Sequence, residues 1–186
     1  RDIHVSSLLH DIGKIGVDDA ILRKPGALTP EEFEEMKKHP EKGANIMAPI
    51  PQMQNIIPGI HFHHEKWGGG GYPKSLKGED IPFIARVIQV ADCFDAMTTN
   101  RPYQRSMSYE AAVARIHELT GPVFDPKIVE AFDQAYSNDE LGLPSKQPGR
   151  ESPPDPAAGT GLAPAPDSDD KAPQPGAPTS AYQVRR

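Results

Sequence analysis

Four consecutive glycines, Gly68 to Gly71, fix what the middle of this chain can be. Glycine loses more backbone freedom on folding than any other residue, so four in a row cost too much inside a helix or strand. Residues 68–78 are therefore expected to be irregular. The flanks of this stretch are chemical. His63, His64, Glu65 and Trp67 lead into it, and Tyr72-Pro73 lead out. A second short stretch, His10-Asp11-Ile12-Gly13-Lys14, stands near the start, and His39-Pro40 and Ala91-Asp92 lie before and after the glycines.

Around these stretches the pattern is helical. Residues 3–12 carry an approximate apolar face at Ile3, Leu8, Leu9 and Ile12, and Gly13 is placed to end that helix in a left-handed cap. Residues 18–22 form a short helix. Thr29, Pro30 and Glu32 supply a cap, a first-turn proline and a capping box for a helix running to about Lys38. Pro40 then forces a break or a new first turn, leaving His39 at a bend; taken alone, His39 reads as an exposed loop residue. Residues 53–64 are a helix candidate disturbed by Pro58-Gly59. Residues 84–98 are the best helix, apolar along most of one side and central to the core. Two more follow, capped by Ser108 and opened by Asp125-Pro126. No stretch shows strand alternation. The fold class is all-α: a compact helical domain over residues 1–136. From 137 to 186 the chain is rich in Pro, Ala, Gly, Ser and Asp, with almost no large apolar residue to bury, and is expected to be a disordered tail.

The formal net charge of −6 argues against nonspecific binding to DNA, which needs a basic surface. It leaves room for a small anionic substrate, because bound metal ions supply local positive charge. Cys93 is the single cysteine, which fits a reducing cytoplasm and a small core residue. No apolar run approaches the roughly 18 residues of a membrane span. The chain opens Arg-Asp-Ile-His without a methionine, and is expected to be a fragment of a longer protein.

Imidazole nitrogen and carboxylate oxygen are donors for hard and borderline divalent metals. The candidates are His10, Asp11, His39, His63, His64 and Asp92. Neighbours on a helix point about 100° apart, so the pairs His10-Asp11 and His63-His64 suit a cluster in which each member serves a different ion, with the Asp11 carboxylate as the bridge. The number of donors also exceeds what one open catalytic ion uses. At least two metals follow. Two ions together activate a water and offset charge on a phosphoryl group, and Lys14, three positions after Asp11, is close enough to address a phosphate oxygen. Each residue has a plainer reading. His63-His64 alone suits a surface pair, and Asp92 suits a core residue paired to the backbone or to Arg86. Glu65 is expected to hold an imidazole N–H. Trp67 is expected to pack the loop onto the core rather than stack on a base.

His10-Asp11-Ile12-Gly13-Lys14, His39-Pro40-Glu41-Lys42-Gly43, His63-His64-Glu65, Gly71-Tyr72-Pro73, Ala91-Asp92 and Asn100-Arg101-Pro102-Tyr103 together resemble the HD-GYP family, in its order, over residues 8–136. The resemblance implies an HD-domain helical bundle with a glycine-rich loop. It implies a bacterial cytoplasmic phosphodiesterase that hydrolyses cyclic di-GMP to linear pGpG and on to GMP, using two or three iron or manganese ions. It makes His10, Asp11, His39, His63, His64 and Asp92 metal ligands, with Asp11 and Lys14 catalytic. Lys14 and Arg101 would contact substrate phosphate, and Gly71 and Tyr72 would line the pocket. An upstream sensor or receiver domain and other cyclic di-GMP signalling proteins are the implied partners. Three departures stand out: the family's ligand helix upstream of His-Asp is missing, Gly68 stands where the family often has Asp, and Gln104 follows the Arg-Pro-Tyr motif. The rival readings are an HD-type phosphohydrolase of another nucleotide and a truncated, non-catalytic nucleotide- or partner-binding domain.

Overall fold

The computed structural model describes residues 1–100 and 106–143. Arg101, Tyr103, Gln104, Arg105 and residues 144–186 of the expected tail lie outside the described residues. Among those described there are α-helices and short 3-10 turns and no strand, which matches the all-α expectation. The helices are α1 Asp2–Leu9, α2 Asp19–Leu22, α3 Pro30–Met36, α4 His39–Met47, α5 Ile57–Phe62, α6 Phe83–Thr98, α7 Tyr109–Glu118 and α8 Pro126–Ser137.

Proline sets the start of several of them. Pro30, Pro40, Pro58 and Pro126 all lie in first turns, where a missing N–H leaves no intrahelical bond unmade. Pro58 therefore begins α5 and does not interrupt a longer helix, and residues 51–53 before it form a separate 3-10 turn. Side chains complete the caps: Thr29 and Glu32 form the capping box of α3, Ser108 accepts from the Ala111 amide, and Asp125 accepts from the Lys127 amide.

Two apolar clusters hold the helices together. In one, Met47 of α4 packs with Ile56 and with Ile60 of α5, against Val5 and Leu9 of α1. In the other, Val90, Cys93 and Phe94 of α6 pack with Ala112 and Ile116 of α7 and with Ile128 and Val129 of α8. Between the clusters, α5 packs on α6 and α1 reaches both. The core role expected for Cys93 and for α6 is observed.

Gly13 serves a different purpose from the one expected. It is not in the left-handed region, and α1 ends at Leu9 before a 3-10 turn over Ile12–Gly16. A Cβ at Gly13 would sit 1.9 Å from the His39 carbonyl oxygen and 2.4 Å from the Gly43 nitrogen. Glycine is needed there because the turn carrying Asp11 and Lys14 lies directly on the first turn of α4.

Candidate metal centre

The ends of three helices and the middle of a fourth bring the polar residues together. His10 is the C-cap of α1, with Asp11 next in the chain; His39 opens α4; His63 is the C-cap of α5, followed by His64; Asp92 comes from within α6. The His39 Nε2 lies 3.4 Å from the His63 Nε2 and 3.2 Å from the His64 Nε2. The Asp11 Oδ1 is 3.3 Å from the His39 Nε2, while its Oδ2 is 3.6 Å from the His10 Nε2. The Asp92 Oδ1 approaches the His10 Nε2 at 3.5 Å. All six candidate donors are thus neighbours. His39 is buried, not in an exposed loop: it is the first residue of α4, with Pro40 in the first turn.

The backs of the rings are tied to the main chain. The Nδ1 of His10 lies 2.6 Å from the Ser7 carbonyl, that of His39 2.8 Å from the Met36 carbonyl and that of His63 2.8 Å from the Ile60 carbonyl. A carbonyl only accepts, so each Nδ1 carries a hydrogen, and it is the Nε2 of each ring that faces the centre, as a lone pair wherever the ring is neutral. The Nε2 atoms of His39 and His63, 3.4 Å apart, then face each other as two acceptors when both rings are neutral, a pairing that a cation satisfies. Imidazole nitrogen with carboxylate oxygen is a donor set for a divalent metal, and carbonyl-anchored Nδ1–H groups are the usual outer support of such ligands.

Two groups of donors have their atoms within 4.8 Å of one another: His39, His63 and His64, and His10, Asp11 and His63. They share His63, so the donors form one continuous cluster. The pairs His10-Asp11 and His63-His64 both lie where a helix ends, with His10 and His63 still in helical backbone conformation.

The electrostatics of the metal-free centre follow from burial and proximity. Burial, with the neighbouring His39 and His10, holds His63 down to about 3. Burial and the rings of His63 and His39 hold His64 well below the ordinary histidine value. For His10, burial acts downward but is outweighed by the Asp92 hydrogen bond, the Asp11 charge and the Ser7 carbonyl, so its pKa is raised. Asp11 is the reverse case: burial acts upward, while the His39 hydrogen bond and the Lys14 ammonium pull it well below the carboxylate range. Lys14 bonds the Asp11 Oδ2 through its Nζ.

The glycine-rich loop closes one side. A Cβ on Gly71 would lie 2.5 Å from the Glu65 Cα and the Lys66 nitrogen, so only glycine lets the returning strand of the loop cross its own entry. Tyr72 then donates its amide to the His64 carbonyl at 3.2 Å and stacks on the His64 ring, centroids 4.7 Å apart. The peptide between Tyr72 and Pro73 is cis. Burial raises the Tyr72 hydroxyl above its ordinary value, keeping it a neutral donor.

Three neighbouring residues depart from the sequence reading. Glu65 holds no imidazole; its buried carboxylate accepts the amides of Lys74 at 2.6 Å and Leu76 at 2.9 Å. Arg86 pairs with Asp125 at 2.6 Å and not with Asp92, and its guanidinium lies 5.5 Å from the Trp67 ring centroid. That contact supports the packing role expected for Trp67. Gln89, which the sequence reading passed over, donates from α6 to the Glu65 carbonyl. The available signal was spacing: Gln89 precedes Asp92 by three positions and so shares its helix face.

An all-helical domain with paired His-Asp and His-His donors at its centre is the arrangement of an HD domain. Residues 1–128 match the family model described as HD domain, and the chain belongs to that family. The resemblance read from the motifs stands with it. A cyclic di-GMP phosphodiesterase of Thermotoga maritima is 47% identical over 135 residues, covering 70% of this chain and 36% of that protein. The cyclic di-GMP phosphodiesterase response regulator RpfG of Xanthomonas campestris is 42% identical over 135 residues, covering 71% and 35%. A 3'3'-cGAMP-specific phosphodiesterase of Vibrio cholerae is 40% identical over 127 residues, covering 67% and 24%. The chain spans about a third of the length of the first two relatives. Among solved structures, a cyclic GMP-AMP specific phosphodiesterase of Vibrio cholerae superposes with a TM-score of 0.57 at 23% identity, over 75% of this chain and 39% of that one, which supports the fold.

Proposed function

We propose that the helical domain, α1 through α8, is the catalytic unit of a phosphodiesterase that hydrolyses cyclic di-GMP to linear pGpG; the boundary expected after residue 136 moves outward, because α8 includes Ser137 and Leu143 packs on the core. The observation that carries this reading is the convergence of the His39, His63 and His64 Nε2 atoms within 3.2–3.4 Å while the Nδ1 atoms of His39 and His63 are bound to the main chain. The relatives named as cyclic di-GMP phosphodiesterases, at 40–47% identity, support the substrate.

In this reading His10, Asp11, His39, His63, His64 and Asp92 hold two or three divalent ions, iron or manganese. Bound there, such ions supply a water activated at neutral pH and positive charge against the phosphoryl oxygens. The residues of the chain do the rest. Lys14 brings an ammonium to the edge of the centre, where it holds a phosphate oxygen; Asp11 keeps that ammonium in place. Arg101, beyond the described residues, takes a second phosphate contact. Tyr72 walls the site over His64 and offers a neutral hydroxyl. Water adds at phosphorus, the bond to the 3′ oxygen breaks, and that oxygen leaves with a proton. One opening yields pGpG, and a second cleavage yields GMP.

The relative named as a response regulator supports an upstream receiver or sensor domain in the complete protein, and the single cysteine supports a cytoplasmic setting. A second reading, 3'3'-cGAMP as substrate, has support from the relatives of that name at 35–40% identity. A panel of cyclic di-GMP, 3'3'-cGAMP, cyclic mononucleotides and simple phosphate esters separates the two and also tests for a different HD phosphohydrolase. Preferred cleavage of cyclic di-GMP is the expected outcome.

A further inference from the structure

We propose that Glu65 is a positioning residue of the centre, acting through the glycine-rich loop. Its importance for catalysis rests on the functional reading above; its action on the loop does not. Glu65 is 1% exposed, and a buried carboxylate needs partners that compensate its lost hydration. It finds them in two backbone amides, Lys74 N–H on Oε1 and Leu76 N–H on Oε2. Both amides belong to irregular chain beyond Tyr72-Pro73, in which Ser75 takes a positive φ of 54°. A non-glycine residue there is held against its preference, and the two amides that flank Ser75 are the ones Glu65 grips. The Ser75 hydroxyl adds a bond to the Gly71 carbonyl at 3.0 Å.

The grip reaches the centre in two directions. Through residues 71–76 it fixes the Tyr72 ring on the His64 ring. Through its main chain, Glu65 is itself held by Gln89, a buried residue on the α6 face that carries Asp92. Glu65 thus joins the loop to the Asp92 helix, its carboxylate holding the loop and its main-chain carbonyl taking the Gln89 amide. A carboxylate that merely satisfied two loop amides would leave the His64 ring indifferent to its replacement.

The test is Glu65→Gln in the full chain without added metal. The amide side chain keeps the size of the carboxylate but presents one acceptor where two amides need acceptors. Hydrogen exchange at Lys74 and Leu76 is expected to be slow in the unsubstituted chain and at least tenfold faster in Glu65→Gln, with Ile88 and Val90 of α6 unchanged. The carbon-bound ring protons of His64, which lie against Tyr72, are expected to shift in the variant, and those of His10 to stay. Unprotected Lys74 and Leu76 amides in the unsubstituted chain would overturn the proposal, as would His64 resonances that do not move. Should the variant fail to fold, exchange in the unsubstituted chain still decides whether the grip exists. None of these readings uses a nucleotide, so failure to cleave cyclic di-GMP bears on the functional reading alone.

Discussion

His39 and His63 direct their Nε2 atoms at each other across 3.4 Å, each with its Nδ1 held by the carbonyl of the residue three positions earlier. The two residues open one helix and close another, so the contact ties α4 to α5 through groups that repel when protonated.

That contact gives the metal-free chain a pH dependence. His63 is held down to about 3 and His64 is also lowered, against an ordinary value of 6.5. Between these values the unfolded chain binds more protons than the folded one, so stability rises with pH and is lost as pH falls from about 6.5 toward 3. The raised His10 has the opposite sign: its contribution is present at low pH and fades as pH rises through its folded value. His61 is lowered by burial as well, so three lowered histidines against one raised leave acid destabilisation as the net result. Urea midpoints at pH 7.5, 6 and 5 without metal are expected to fall in that order.

Divalent ions should stabilise the fold through the same atoms. At one hundred times its dissociation constant an ion adds about 2.7 kcal/mol. Thermal unfolding with and without Mn²⁺ reads this as a rise in midpoint that a chelator reverses. Asp92→Asn, at a partly exposed carboxylate 3.5 Å from His10, should reduce the rise while leaving the metal-free midpoint close to its original value.

Gly13→Ala should damage both fold and centre. The new methyl would meet main-chain atoms of His39 and Gly43, which do not swing aside as a side chain does. Overpacking of this kind costs about 1–3 kcal/mol. Denaturation should show the loss, and metal titration should show weaker binding, because Asp11 is pushed away from His39.

Arg86→Met strands Asp125, which is 1% exposed and has its other oxygen on the Lys127 amide. Removing one partner of a buried pair costs about 3–5 kcal/mol. Arg115→Ala, which breaks the exposed pair with Glu118, should cost under about 1 kcal/mol. Denaturant midpoints of the two variants side by side test the contrast.

Much of this was legible before any coordinates. Caps and first-turn prolines are local devices, so Thr29, Ser108 and Asp125 announced their helices. The donor set was legible because histidine and aspartate recurring beside helix breakers have few other uses. What the sequence concealed depends on which backbone approaches which. Gly13 reads as a helix stop until α4 is seen lying on it. Glu65 follows two histidines and so reads as their support, although the loop returns its own amides to it. Arg86 lies two turns before Asp92 on α6, yet its partner is Asp125, which only packing of α8 on α6 brings near.

The most direct measurement is turnover. The chain, purified without oxygen and loaded with Mn²⁺ or Fe²⁺, is incubated with cyclic di-GMP, and the linear products are followed by chromatography beside His10→Ala. Formation of pGpG that is lost in His10→Ala is the predicted result. A folded, metal-loaded chain that forms no linear product, or a His10→Ala variant that forms as much as the parent, would contradict the account.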